Sequence, residues 1–295
     1  MQTLFCRKLR RGLAAAVCCA VSLCAVVTPA QAQTMQPAAE TAAKEVTYRL
    51  IPEENRISSA QIRSGSVDVK IRMYIENDPG TSAIALQFGM PEGVALKEGG
   101  YASPYCYGDG TADSARFHSF NVEKRRVTWM SGTMISFLVP TNSEIYDLSL
   151  PFVEFTVTLP QGAAEGVYEV YFDPTPEQDG TATVSLLYSS RTINDQGDTE
   201  RLTVHYNSAL IGVGDSLLRG DVDLDGDVDV ADAVAVLQAS AEQMVTGENP
   251  LSKDARFGAD VNDDSRVDVS DAVLILQYSS MKIANPDADW DDLLG

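Results

Sequence analysis

The segment DVDLDGDVDVAD, from Asp221 to Asp232, returns as DVNDDSRVDVSD from Asp260 to Asp271, and each copy runs on into an apolar stretch ending Leu-Gln. About half of the aligned positions over loop and following stretch are identical, which marks duplication of one supersecondary unit. Carboxylates packed this densely repel one another unless a cation sits among them. Their spacing is that of the EF-hand loop, which offers oxygens from its first, third, fifth, seventh, ninth and twelfth positions to calcium, a hard cation taking six to eight such ligands. In the first copy the side-chain ligands are Asp221, Asp223, Asp225 and Asp232, with the Asp227 carbonyl seventh and Asp229 acting through a water. Gly226 falls at the sharp turn, where a residue without a β-carbon fits best. The second copy offers Asp260, Asn262, Asp264 and Asp271, with the Arg266 carbonyl seventh and Asp268 ninth. Ser265 replaces the turn glycine and Asn262 removes a charge, so the second of these two calcium sites is expected to be the weaker.

The segment before Asp221, VGDSLLRG, is too short and too glycine-broken for an entering helix. Each unit is therefore expected to be a loop with an exiting helix only. Within those helices Val234, Leu237, Val273 and Leu276 have the spacing of one helix face, and such a stripe predicts mutual core.

A duplicated loop and helix with aspartate at the twelfth position, late in an exported chain, resembles the dockerin module of cellulosome-type assemblies. The resemblance covers about residues 220–286. It implies a small α-helical module of two EF-hand-like units that needs calcium to fold and binds a cohesin partner. Carried across residue by residue, the family's recognition positions fall on Val230, Ala231, Leu237 and Gln238, and on Val269, Ser270, Leu276 and Gln277. Only Ser270 keeps the small hydroxyl residue that the family often has at the loop end.

The first 32 residues read as an export signal. Arg7, Lys8, Arg10 and Arg11 form a basic start, GLAAAVCCAVSLCAVV is the apolar run, and Ala30-Gln31-Ala32 is a cleavage site. The run is short for a membrane span, so a secreted, extracellular protein without membrane insertion is expected. Four of the 5 cysteines leave with the signal, and Cys106 alone remains, so no internal disulfide is expected. Removal of the signal also takes the net charge from −20 to about −24. Such a surface repels nucleic acid and anionic lipid, whose binding requires basic patches.

After a small, polar lead-in at residues 33–45, residues 46–213 show short β-rich runs broken by turn residues: VTYRLI, SVDVKIRMYI, AIALQF, RRVTWM, FVEFTVTL, GVYEVYF, TATVSLLY and RLTVHY. Asn77-Asp78-Pro79-Gly80 and PQGAAEGVY are turn signals between such runs. Their spacing predicts an antiparallel β-sandwich, large enough for its own core. A linker at 214–219 and a tail at 287–295 complete the expected layout.

The order of features, a strand pair around IENDPG, a strand running into MPEGVAL, then FVEFTVTLPQGAAEGVYEVYF, is similar to a cohesin, the jelly-roll partner of dockerins. A cohesin-like sandwich followed by a dockerin resembles an adaptor scaffoldin. The resemblance implies that one sheet receives a dockerin-bearing protein, through strands corresponding to AIALQF and RRVTWM, with Ala85, Gln87, Thr128 and Met130 as contacts.

Two other readings of the sandwich stand beside this one. A carbohydrate-binding module would use exposed rings, for which Tyr101, Tyr105, Tyr107, Phe120 and Trp129 are available. A glycoside hydrolase would need two carboxylates across a cleft, and Glu154 and Glu169 are the conceivable pair. His118 and His205 are isolated, and no triad, phosphate-loop or zinc motif is present. Trp290, beyond the second helix, is expected to pack back near Leu217 and Leu218, clasping the two ends of the module.

Overall fold

Strands β1 (Glu45–Pro52), β3 (Val67–Glu76) and β8 (Val153–Leu159) alternate buried and half-exposed residues, the period-two signature of a sheet with one face on a core. The computed structural model describes residues 45–78, 81–100, 116–123, 125–131, 149–173, 191–193 and 199–295. Further strands are β2 (Arg56–Ile57), β4 (Thr81–Gly89), β5 (Ala95–Leu96), β6 (Arg116–Asn121), β7 (Arg126–Ser131), β9 (Gly166–Phe172), β10 (Arg191–Ile193), β11 (Thr199–Arg201), β12 (Thr203–Asn207) and β13 (Ala209–Val213). One sheet runs β12-β1-β3-β8-β5 and the other β11-β10-β4-β9-β13-β2, with β7 pairing both β4 and β6. The expected run TATVSLLY lies outside the described residues.

The two sheets close on a shared core. Tyr48, Leu50, Ile71, Met73, Phe155 and Leu159 from the first meet Phe88, Val170, Phe172 and Ile211 from the second, all buried. The Phe88 and Phe155 ring centroids stand 4.5 Å apart and Tyr48 lies 6.2 Å from Phe172, distances at which aromatic pairs add to area burial.

The sandwich departs from the purely antiparallel expectation at its edges. β1 pairs β12 in parallel, Glu45 opposite Thr203, and β13 pairs β2 in parallel, Gly212 opposite Arg56. The chain crosses between sheets at Ser208, so its last two strands pair with its first two, one pair in each sheet. A short helix α1 (Ser59–Ser64) was not expected, yet its signal is legible. Ser58 accepts from the Gln61 N–H at 3.2 Å while Gln61 Oε1 accepts from the Ser58 N–H at 2.7 Å, a capping box.

The C-terminal module consists of α2 (Val230–Thr246), α3 (Lys253–Ala259), α4 (Val269–Ala284) and α5 (Asp291–Leu294). α2 stops at Gly247, whose φ of 80° is the left-handed cap that favours glycine. Helix α3 corrects the expectation of loop-and-helix units alone, because it ends on Asp260 and so enters the second loop. Its start is set by Ser252, whose Oγ accepts from the Ala255 N–H at 3.2 Å.

The expected helix core is also corrected. Ala233 and Val236 of α2 and Ala272 and Ile275 of α4 form the buried cluster with Val222, Ala255, Ala259 and Val261. Val234, Leu237, Val273 and Leu276 are instead 44%, 41%, 46% and 38% exposed. Alanines at 233 and 272 let the two helices approach closely, and the buried row then falls one residue away from the bulkier stripe.

The two modules pack directly together. Phe257 of α3 is buried beneath the Arg56 guanidinium, 4.2 Å from its ring centroid, and faces Gly212 of β13, where a β-carbon would run into the ring. Arg256 pairs with Glu169 of β9 at 3.0 Å. Replacing Phe155 by alanine should destabilise the sandwich by about 3–5 kcal/mol, measured by denaturant unfolding.

Candidate calcium loops and recognition helices

Both loops take the same shape through the same hydrogen bonds. Asp221 Oδ1 accepts from the Asp225 N–H at 3.1 Å and Oδ2 from the Gly226 N–H at 3.0 Å. Asp260 repeats this with the N–H groups of Asp264 and Ser265 at 3.0 and 2.9 Å. At the twelfth position Asp232 accepts from Val222 and Asp229 N–H groups at 2.7 and 2.8 Å. Asp271 does so from Val261 and Asp268 at 3.1 and 2.9 Å. These buried carboxylates therefore tie each loop's beginning to its end.

The ninth residues, Asp229 and Asp268, are the N-caps of α2 and α4, each in a capping box with the twelfth. One short run of carboxylates thus both shapes the loop and starts the helix. The left-handed turns fall at matching positions, with φ of 64° at Leu224 and 94° at Gly226, and 56° at Asp263 and 63° at Ser265.

Oxygens of Asp221, Asp223 and Asp225 lie within 4.8 Å of one another. In the second loop Asn262 Oδ1 and Asp260 Oδ1 both accept from the Asp264 N–H, each at 3.0 Å. Arg266 turns its side chain away to pair with Glu76 of the sandwich, leaving only its backbone for the loop. Burial, reinforced by the charges of Asp271, Asp263 and Asp264, pushes Asp260 up to about 8, and burial pushes Asp271 up to about 6. Burial and neighbouring carboxylates also raise Asp223. This is the electrostatics of a set of oxygen donors that a divalent cation would complete, and the residues present fit calcium. Asp227 is exposed, as its expected role through the backbone alone allows.

All eight expected partner positions, Val230, Ala231, Leu237, Gln238, Val269, Ser270, Leu276 and Gln277, are exposed on α2 and α4. Met244, Val245 and Ile283 extend the apolar surface, at 78%, 87% and 84% exposure, and were not singled out from the sequence.

The sandwich candidates fare differently. Ala85 pairs with Thr128, and Met130 with Ala83, across β4 and β7, but the side chains of Ala85, Thr128 and Met130 lie outside the described residues. Gln87 is 2% exposed, with Arg126 Nη2 at 3.4 Å, so it is corrected from surface contact to buried residue: it alternates with the core residues Leu86 and Phe88 and so lies on the other face of β4, where it is covered beside Arg126. Tyr101, Tyr105, Tyr107, Cys106 and the side chains of Phe120, Trp129 and His118 also lie outside the described residues. Glu154 is held by Arg72 at 3.0 Å on the first sheet and Glu169 by Arg256 on the second, so both carry structural ion pairs. His205 stands 3.4 Å from Glu45. Trp290 packs back on the module's start, at Arg219 and Gly220 in place of the expected Leu217 and Leu218: its Nε1 donates to the Arg219 carbonyl at 3.0 Å, and its ring stacks on Tyr278 at 4.0 Å. No helix among the described residues is long and apolar enough to cross a membrane.

Residues 219–280 match the family model of the dockerin type I domain. Among solved structures, the chain is similar to the third ScaB cohesin of R. flavefaciens in complex with a group 1 dockerin. That match has 16% identity and a TM-score of 0.38 and covers 61% of this chain and 99% of that one. The seventh ScaB type I cohesin from Pseudobacteroides cellulosolvens is 14% identical, covering 57% and 91%, with a TM-score of 0.35. A type III cohesin module from the cellulosomal ScaE cell-surface anchoring scaffoldin of Ruminococcus flavefaciens is 13% identical, covering 59% and 89%, with a TM-score of 0.36. No curated protein matches the chain.

Two expectations follow. Ser265→Gly relieves a left-handed cost of about 1–2 kcal/mol while loosening the unfolded chain by about 0.4–1 kcal/mol. The calcium-saturated module should gain roughly 0.5–1 kcal/mol, measured by denaturant unfolding. The second concerns pH. Asp260 and Asp271 titrate in the fold above their ordinary value of 3.8, so the metal-free fold holds these protons more tightly than the unfolded chain. Their stabilising effect is complete below about pH 4 and lost as pH rises through about 6 and about 8. Thermal melts of calcium-stripped protein should show higher stability at pH 5 than at pH 8, and saturating calcium should remove that slope.

Proposed function

We propose that this chain, whose residues 219–280 form a dockerin type I domain, is a non-catalytic adaptor of a secreted, polysaccharide-degrading assembly. Its sandwich receives a dockerin-bearing protein, and its own dockerin attaches to a cohesin of another scaffold subunit. The observation that carries this reading is the pair of unpartnered apolar helix faces. Val230, Val234 and Leu237 on α2 and Val269, Val273 and Leu276 on α4 are each at least 38% exposed, although the module already has a closed core beneath them. An exposed apolar stripe beside polar positions such as Gln238 and Gln277 is a surface suited to protein pairing.

Calcium, when bound, neutralises the clustered carboxylates and so stabilises the loops from which both helices start. Asp232 and Asp271 then fix the loop ends, and Asp229 and Asp268 cap the first turns. The recognition helices are thereby set at a defined angle to each other. The sandwich reading rests on its two-sheet architecture and the order of its strand and turn motifs. Glu154 and Glu169 lie on separate sheets, each engaged by an arginine, Arg72 of β3 and Arg256 of α3, which favours it over a hydrolase. The basic start, apolar run and Ala30-Gln31-Ala32 read in the sequence as an export signal support an extracellular assembly.

Because the two copies present matching residues, a partner can dock on either helix after a half-turn rotation. Val230→Glu with Ala231→Glu should leave cohesin affinity nearly intact. Adding Val269→Glu and Ser270→Glu should abolish it, and calorimetry against a panel of cohesins measures both. Loss of binding from the first pair alone counts against the two-fold mode. The wider test is a binding matrix of the chain against cohesins, dockerins and insoluble polysaccharides, with and without chelator. Retention on polysaccharide without uptake of any dockerin would replace this reading by the carbohydrate-binding one.

A further inference from the structure

The two calcium loops are copies, yet they differ at the fourth and seventh positions, whose side chains are not ligands: Leu224 and Asp227 in the first, Asp263 and Arg266 in the second. In the first loop both residues are exposed, Leu224 to 54%. In the second, both are engaged. Asp263 Oδ1 accepts from Asn55 Nδ2 of the sandwich at 2.6 Å, and Oδ2 accepts from Arg219 Nη2 at 2.6 Å. Arg266 pairs with Glu76 of β3. Arg49 of β1 spans the joint, with Nη2 on Glu76 Oε1 at 2.5 Å and Nη1 donating to the Asp264 carbonyl at 2.6 Å.

We infer that the second calcium loop is also the surface by which the dockerin docks on its own sandwich, so that calcium binding at this loop and the fixed orientation of the two modules are coupled. The contacts read the shape of the loop. Asp263 reaches Asn55 from a left-handed backbone, φ 56°, the conformation that Leu224 shares at the equivalent place. Arg49 grips the carbonyl of Asp264, a residue whose carboxylate is an expected ligand, and stands 3.8 Å from that carboxylate. A loop that slackens without its cation loses these partners together. Four arginines, Arg49, Arg56, Arg219 and Arg266, gather here, but their closest carboxylates are Glu76 and Asp263, which lie outside the ligand set. These two carboxylates offset half of the joint's positive charge, so what docking adds to calcium affinity comes through the shape of the loop and not through charge. By linkage, whatever docking adds to calcium affinity, calcium adds to docking.

The inference rests on calcium binding by the loops and goes beyond the adaptor reading. Its test uses the full chain. Calcium titration calorimetry compares the wild type with Asn55→Ala/Arg56→Ala, which alters only the sandwich side, and with Asp263→Asn, which tolerates the left-handed turn. Gly212→Ala, which wedges Phe257 away from β13, is a third and independent disruption. One of the two calcium sites should weaken about ten-fold in each, an ordinary size for coupled sites, and the other should be unchanged. Small-angle scattering should show a larger radius of gyration in the variants and in calcium-stripped wild type. An unchanged thermal transition of the sandwich verifies that the substitutions spare its fold. Two normal calcium sites in all three variants would overturn the inference while leaving the calcium reading intact, as would scattering indifferent to chelator. Absence of calcium uptake by the wild type would overturn both.

Discussion

Mutual repulsion among carboxylates governs the C-terminal module. Asp232 and Asp271 are 1% and 0% exposed, and each gathers N–H groups from both ends of its loop, so neither loop can close without burying negative charge. The same residues complete the capping boxes that start α2 and α4. Loop closure and helix initiation are therefore one event in each half. A cation that offsets the charge in the loops acts on the position of every residue along the helices, although it touches none of them beyond the first turn.

The duplication makes this module nearly symmetric, and the sandwich removes the symmetry. Loop two lies against β1, β3 and the residues around Asn55, while loop one faces solvent. Phe257 on α3 supplies the apolar centre of the contact, seated between Arg56 and Gly212. Arg256 and Glu169 close one flank. The apolar faces of α2 and α4 stay exposed, so the chain holds its modules together without covering the surface proposed for a partner.

Much of this was legible in the chain itself. Period-two alternation located β1, β3 and β8, because each has one face on a core, and the loop spacing pointed to the carboxylates that each loop gathers. The helix faces were harder. Val234 and Leu237 have the hydrophobicity and spacing of a core stripe, and only the close approach allowed by Ala233 and Ala272 moves the buried row by one residue. Gln87 was expected at the surface because the resemblance puts AIALQF on the receiving sheet, but it is buried beside Arg126 on the face of β4 away from Leu86 and Phe88. Helix α3 was missed because seven residues offer too little periodicity, although Ser252 marks its start. The modular joint was invisible, since Asn55 and Asp263 are 208 residues apart and nothing local to either indicates the other.

Trp290 draws its surroundings from two separate parts of the sequence: the start of the module, where it meets the Arg219 carbonyl and Gly220, whose missing side chain leaves room for the indole, and α4, where it stacks on the Tyr278 ring. Loss of any one of these contacts changes the polarity around that chromophore. With Trp129, the other of the chain's 2 tryptophans, replaced by phenylalanine, the emission colour and intensity of this indole would register whether the start of the module and its last long helix remain assembled.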